Sequence, residues 1–137
     1  MRIEEDIKLG FSDVLIRPKR STLRSRSEVD LRRSFTWKHS GRTWEGVPVV
    51  AANMDTVGTI DMYHSLKNYN MLTCFHKFID IQDYPENDKN QYIISIGIRD
   101  EDFIKLTELY STNPEKCNFI CIDIANGYIK KLIEFCQ

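Results

Sequence analysis

Short apolar runs alternate with amphipathic stretches along the chain from residue 47 onward. The first run is continuous and rich in β-branched residues, which is typical of a parallel strand that is buried on both faces. We therefore predict four strands, which are VPVVAAN (47–53), MLTCF (71–75), QYIISI (91–96) and NFICIDIA (118–125).

The segments between these strands carry apolar residues at helical spacing. A first helix is predicted to present Ile60, Tyr63 and Leu66 on one face, with Tyr69 at its end. Residues 79–90 contain a proline, which predicts a short or broken helix there.

Two further helices follow the third and fourth strands. The first of them is predicted to be capped by Asp100, to end before Pro114, and to bury Phe103, Leu106 and Leu109 or Tyr110. The second is predicted to bury Tyr128, Leu132 and Phe135 or Cys136. Four β-α units in a row predict an α/β fold with a parallel sheet and right-handed crossovers.

Four units leave two architectures open, a small doubly wound sheet and part of a barrel. A closed (β/α)₈ barrel needs eight units and typically about 250 residues. The fourth strand is as apolar as a central strand, whereas an edge strand needs polar cover. We therefore expect the chain to be cut within a larger sheet.

The first 46 residues have a different character. Phe35-Thr36-Trp37 and Arg42-Thr43-Trp44 flank a short polar turn and predict a small hairpin. Residues 14–27 hold five basic residues and no acidic residue, so they form either a solvated arm or a phosphate-facing segment. The predicted boundaries are 1–46 for the arm and hairpin and 47–137 for the β-α units.

Composition narrows the classes of protein. The 137 residues are 42% hydrophobic and 28% charged with a net charge of −1, which provides no field to hold nucleic acid or an anionic membrane. No apolar run approaches the ~20 residues of a membrane span, and the charged N-terminus does not resemble a signal peptide. We expect a cytoplasmic protein.

The cysteines and histidines predict no metal site. None of Cys74, Cys117, Cys121 and Cys136 forms a C-x-x-C pair, and three lie in apolar runs. We expect all four to be buried, reduced thiols, because cysteine packs as a small hydrophobic residue.

Candidate chemistry lies where the predicted strands end, since active sites of parallel α/β folds form at that edge. Asn53 and Met54 close the first strand, His76 and Lys77 the second, and Asp123 the fourth. An ionised carboxylate buried in an apolar run needs a partner. Lys77 is the expected partner of Asp123, in either a functional or a structural ion pair.

Several long stretches resemble GMP reductase, and they are LGFSDVLIRPKRSTLRSRSEVDL (9–31), GVPVVAANMDTVGT (46–59), HK (76–77) and CIDIANGY (121–128). The related IMP dehydrogenases share the barrel, but the residues of the RPKRSTL and NMDTVGT motifs resemble those of the reductases more closely. The resemblance implies the N-terminal half, about four β-α units, of a TIM (β/α)₈ barrel in a cytosolic, typically tetrameric enzyme. Such an enzyme converts GMP and NADPH to IMP, ammonia and NADP⁺ through a covalent enzyme–purine intermediate.

The resemblance also implies roles for individual residues. Ser25 and Arg26 resemble residues that reach the dinucleotide bound to a neighbouring subunit. Lys77 and Asp123 resemble supporting catalytic residues on the cofactor side. Ile124 and Ala125 resemble further cofactor-binding residues, and Asn53 and Met54 resemble residues near the nucleotide.

Two departures from the family bear on activity. The family's nucleophilic cysteine stands in a G-P-G-S-V-C-T loop after the sixth strand, and these 137 residues contain no such loop. The family's assisting Thr and Glu, its K⁺-binding loop and its GMP phosphate loops also belong to the second half. The other departure is Ile98, where the family usually has Thr, next to a shortened loop.

We therefore expect this chain alone to be inactive, because covalent catalysis needs its nucleophile. Two alternatives stay open, which are a non-catalytic half-barrel that binds intact reductase subunits and a decayed remnant.

Overall fold

The computed structural model describes Ile3, residues 5–85 and residues 91–137. The chain divides into two compact units, residues 1–30 and residues 31–137. In the first unit all described residues are exposed, and its regular structure consists of 3-10 turns at Phe11–Asp13 and Arg26–Glu28.

The second unit begins with the predicted hairpin, which is confirmed. Strands β1 (Arg33–Thr36) and β2 (Thr43–Gly46) pair antiparallel, with Phe35 opposite Trp44. Trp37 packs edge-on against Phe119, with ring centres 5.9 Å apart. The hairpin therefore belongs to the same compact unit as the parallel sheet. The boundary between the two units lies after residue 30, whereas the predicted boundary lies after residue 46.

A four-stranded parallel sheet follows, in the order β3-β4-β5-β6. Consecutive parallel strands in sequence order are what a partial barrel requires. All four predicted strands are present but shorter than predicted, and they are β3 (Val50–Ala51), β4 (Leu72–Cys74), β5 (Tyr92–Ile96) and β6 (Ile120–Ile122).

The expectation that the first strand is buried on both faces is wrong. Val50 in β3 is 49% exposed. The reason is position, because β3 is the edge of the sheet in the described part of the chain and β4 covers only one side of it. At the opposite edge, Ile120 in β6 is exposed as well.

The three α-helices in the described part of the chain begin and end close to the predicted positions. Helix α1 (Ile60–Leu66) is capped by Thr59, whose Oγ1 accepts a hydrogen bond from the backbone N–H of Met62 at 3.1 Å. The next helix starts at Asp100, but the capping carboxylate is that of Asp102, which accepts from the N–H of Arg99 at 2.9 Å. The helices are α1 (Ile60–Leu66), α2 (Asp100–Thr112) and α3 (Lys130–Phe135).

Two details of the predicted helical faces are corrected. Of the two alternatives near the end of α2, Leu109 is buried and Tyr110 exposed, whereas Phe103, for which burial is predicted, is 56% exposed. Tyr128 is 98% exposed and precedes α3, so it adds nothing to the buried face of that helix.

An aromatic core occupies the helix side of the sheet. Tyr92, Ile94 and Ile96 alternate along β5 and pack there with Tyr63 of α1 and with Phe75. The ring of Phe75 lies 5.1 Å from that of Tyr92 and 5.8 Å from that of Tyr63. The intervening residues of β5 point to the other side, which we call the second face.

The segment after β4 completes the core. A 3-10 turn at Ile81–Asp83 agrees with the predicted short helix, and residues 86–90 of that prediction lie outside the described residues. The ring of Tyr84 stacks on Phe75 at 5.5 Å. The buried Lys116 donates from Nζ to the carbonyl of Tyr84 at 3.1 Å, which ties this segment to the start of the last β-α unit.

Replacing Phe75 tests whether the aromatic core stabilises the sheet. Phe75 is 0% exposed, so Phe75→Ala is expected to lower the free energy of unfolding by about 3–5 kcal/mol. Urea denaturation followed by circular dichroism measures the change. Phe78→Ala is the matched control, because Phe78 is 73% exposed, and a loss below about 1 kcal/mol is expected for it. Equal losses in the two variants would contradict this placement of the core.

Candidate functional site

Three polar residues follow the carboxyl ends of strands in the parallel sheet. Asn53 follows β3, Lys77 follows β4, and Asp123 follows β6 directly. The carboxyl ends of parallel strands share one edge, which is where α/β folds bind ligands. The three residues follow the strand ends as the sequence predicts, and their roles in a site stay a prediction.

The loop between β3 and α1 is held against the end of β4. The N–H groups of Val57 and Gly58 donate to the carbonyl of Met54 at 2.9 and 2.7 Å. The carbonyl of Gly58 in turn accepts from the N–H of His76 at 3.0 Å. A side chain at position 58 would overlap the carbonyl oxygen of Cys74, so only glycine allows this approach. The loop therefore fixes Asn53 close to the sheet edge.

Asp123 is held by its backbone and by Asn53. Its N–H donates to the carbonyl of Ile96 at 2.8 Å, which continues the pairing of β5 with β6 by one residue. Its carboxylate Oδ2 accepts a hydrogen bond from Nδ2 of Asn53 at 2.9 Å. The side chain of Asp123 is exposed.

The predicted buried ion pair between Lys77 and Asp123 is wrong in this structure. Both residues are exposed, and no ion pair joins them among the described residues. Water solvates a carboxylate just past the end of an edge strand, so Asp123 needs no buried counter-ion there. Nζ of Lys77 lies 5.4 Å from the centre of the Phe78 ring, a cation–π contact at an exposed site.

His76 has a local role. Its Nδ1 accepts a hydrogen bond from the N–H of Phe78 at 3.3 Å, and its ring lies 6.0 Å from that of Phe78. This contact shapes the turn that carries Lys77. The observed contacts of His76 give it a packing role at this turn.

The second face of the sheet carries a polar strip below the carboxyl edge. The thiol of Cys74 and the hydroxyl of Ser95 form a hydrogen bond at 3.2 Å, and both side chains are buried. Burial raises the pKa of Cys74 from 9.0 to about 11; the hydrogen bond with Ser95 opposes the rise, whereas Cys121 and Asp123 add to it. Cys74 is therefore a protonated thiol at neutral pH.

The expectation that all four cysteines are buried is wrong for Cys136, which is exposed near the end of the described chain. Cys74 is buried, and Cys117 and Cys121 are partly buried. All four are free thiols, as predicted. No group of three or more metal-ligating side chains occurs among the described residues.

The remaining predicted site residues are mostly exposed. Met54 is 59% exposed beside Asn53, whereas Ile124 is partly buried and Ala125 exposed beyond β6. In the first unit, Oγ of Ser25 accepts from the N–H of Ser27 at 3.3 Å. The next residue, Arg26, is exposed, and within the described part of that unit it forms no ion pair.

A four-stranded parallel sheet in sequence order, with polar residues at its carboxyl edge, has the α/β character of a partial barrel. The sequence is 53% identical to a GMP reductase of Shewanella pealeana and 51% identical to that of Citrobacter koseri, each over 98% of this chain and 41% of the relative. The resemblance to GMP reductase is thus confirmed, and the chain spans about two fifths of the length of these curated relatives.

Structure comparison supports the same fold. An inosine 5′-monophosphate dehydrogenase from Legionella pneumophila superposes with a TM-score of 0.65 at 22% identity, over 91% of this chain and 38% of that one. No family model matches the sequence. None of the helices in the described part of the chain combines the length and apolar character needed to span a membrane.

The shifted thiol predicts a loss of stability in alkali. Because the pKa of Cys74 is raised in the folded state, its contribution to stability is complete below about pH 9 and is lost as the pH rises towards about 11. Urea denaturation at about pH 8 and about pH 10 should show the loss in the wild type and in the control Cys136→Ser. Cys74→Ser should lose less over the same interval, and an unchanged loss would contradict the assignment to Cys74.

Proposed function

We propose that this chain forms the cofactor-side part of an NADPH-dependent GMP reductase. The observation that carries the proposal is the hydrogen bond between Asn53 and Asp123 at the carboxyl edge of the sheet, where Lys77 follows β4. About half of the chain's residues are identical to those of GMP reductases over nearly its whole length. The reaction proposed is the conversion of GMP to IMP and ammonia.

The residues at the edge suit a dinucleotide. When bound, NADPH would supply a hydride to the purine. Lys77 offers a cation whose Nζ is exposed, and Asp123 offers a carboxylate that accepts hydrogen bonds from hydroxyl or amide groups. Ile124 and Ala125 follow in an irregular segment whose backbone can approach a planar ring.

The arm in residues 14–27 suits the phosphate groups. Arg26 is exposed beside Ser25, and guanidinium and hydroxyl groups are the donors that bind phosphate oxygens well. These two residues are proposed to contact the dinucleotide held by a neighbouring subunit of a cytoplasmic homotetramer.

These 137 residues do not contain the family's nucleophile loop, so catalysis requires the complementary part of a reductase. The exposed edges at Val50 and Ile120 are where further strands would pair. The same edges favour the second candidate function, a non-catalytic half-barrel that binds reductase subunits.

Complementation tests the proposal. The 137-residue chain is combined with a polypeptide that supplies the rest of the Shewanella pealeana reductase, and GMP-dependent loss of NADPH absorbance is followed. We expect turnover by the mixture and none by the 137-residue chain alone. Lys77→Ala and Asp123→Ala should each lower the rate about tenfold or more, because each removes a charged contact.

The matched control is Lys105→Ala, which removes an exposed lysine of α2 and should leave the rate unchanged. Turnover by the 137-residue chain alone would contradict the expected need for the second part. Association of the two polypeptides without turnover would contradict the catalytic proposal and favour the binding module. Failure to associate would contradict both.

A further inference from the structure

We propose that Asn53 is the positioning residue of Asp123, so that the end of the first parallel strand orients the carboxylate at the end of the fourth. The inference rests on the proposed function, because it assigns Asp123 a ligand to meet. It gives Asn53 a defined task in place of general proximity to a nucleotide. The contact that carries it is the 2.9 Å hydrogen bond from Asn53 Nδ2 to Asp123 Oδ2.

This contact crosses the whole sheet. Strands β3 and β6 are separated by β4 and β5, so three strand intervals of about 4.8 Å would put their ends about 14 Å apart in a flat sheet. A hydrogen bond between residues 70 positions apart therefore requires both ends to lean over the same face. The bond links the first and last strands of the sheet directly, independently of the ladder between them.

The backbone at Asp123 and the loop that follows Asn53 are both hydrogen-bonded to neighbouring segments. Asp123 is fixed to β5 through the bond from its N–H to Ile96. Asn53 precedes the loop that Gly58 fixes against β4. The Asp123 side chain is already ordered by its hydrogen bond to Asn53. It therefore loses little conformational entropy when a ligand binds, which favours affinity.

The choice of an amide fits the task. Nδ2 of Asn53 can only donate and an ionised carboxylate can only accept, so the hydrogen bond between them can form in one direction only. The bond occupies Oδ2 of Asp123, and no described residue donates to Oδ1. Asp123 is exposed, so a hydroxyl or amide of the dinucleotide can donate to Oδ1.

A double-mutant cycle in the 137-residue chain tests the link itself. Asn53→Ala, Asp123→Ala and the double variant are compared by urea denaturation. We expect the two changes to be non-additive, with a coupling of about fivefold or more in the folding equilibrium constant. Additive effects would overturn the inference whether or not NADPH binds.

NADPH titration of the complemented protein tests the positioning role. Asn53→Ala should weaken NADPH binding about tenfold, because the ligand itself would then have to order the Asp123 side chain. Asn68→Ala is the matched control, because its Nδ2 donates to the carbonyl of His64 on α1, away from this edge, and it should leave the affinity unchanged.

The reversed pair, Asn53→Asp with Asp123→Asn, separates positioning from stability. This double variant re-forms the hydrogen bond with donor and acceptor exchanged. It should therefore restore the stability measured by urea denaturation but not the affinity for NADPH. Recovery of both, or wild-type affinity in Asn53→Ala, would overturn the inference. If the wild type binds no NADPH, the proposed function fails and the positioning role fails with it, whereas the cross-sheet link is still decided by the cycle.

Discussion

Strand β5 is the element on which both faces of the sheet depend. It pairs with β4 on one side and β6 on the other, and its residues alternate between two different environments. Tyr92, Ile94 and Ile96 supply the aromatic core under the helices, whereas Ser95 meets Cys74 on the second face. The period of two along one strand thus separates the packing that stabilises the fold from the polar strip beneath the candidate site.

The helix-side core and the two edges of the sheet differ in how far the described chain covers them. The helix-side core lies within residues 31–137, where Tyr63 of α1, Leu109 of α2 and Tyr84 pack against the sheet. The edges are not closed in the described chain, as the exposure of Val50 and Ile120 shows. The sheet has a packed helix side and exposed edges. This agrees with the alignment, in which the chain covers about two fifths of the length of its relatives.

The sequence predicts the elements better than their limits. Apolar runs locate all four parallel strands, because burial of apolar side chains is encoded locally. Their lengths depend on neighbouring strands, which the sequence does not name, so the predicted seven-residue first strand shrinks to Val50–Ala51. The hairpin is predictable from its aromatic pairs, whereas its packing of Trp37 on Phe119 is a long-range contact with no local signal.

Asp123 shows the same difference between what the local sequence predicts and what the three-dimensional position decides. Its apolar surroundings in the sequence predict burial, and burial would require a cation to neutralise the carboxylate. The structure places it just past the last paired residue of an edge strand, where water and the amide of Asn53 solvate it.

This correction changes the chemistry available at the edge. A carboxylate and an ammonium group in a buried pair would satisfy each other and leave little for a ligand. Held apart and exposed, Lys77 keeps its donors and Asp123 keeps one free oxygen, so the two charges can meet a ligand from different strands. The separation that contradicts the predicted ion pair is therefore what makes a binding role for both residues physically reasonable.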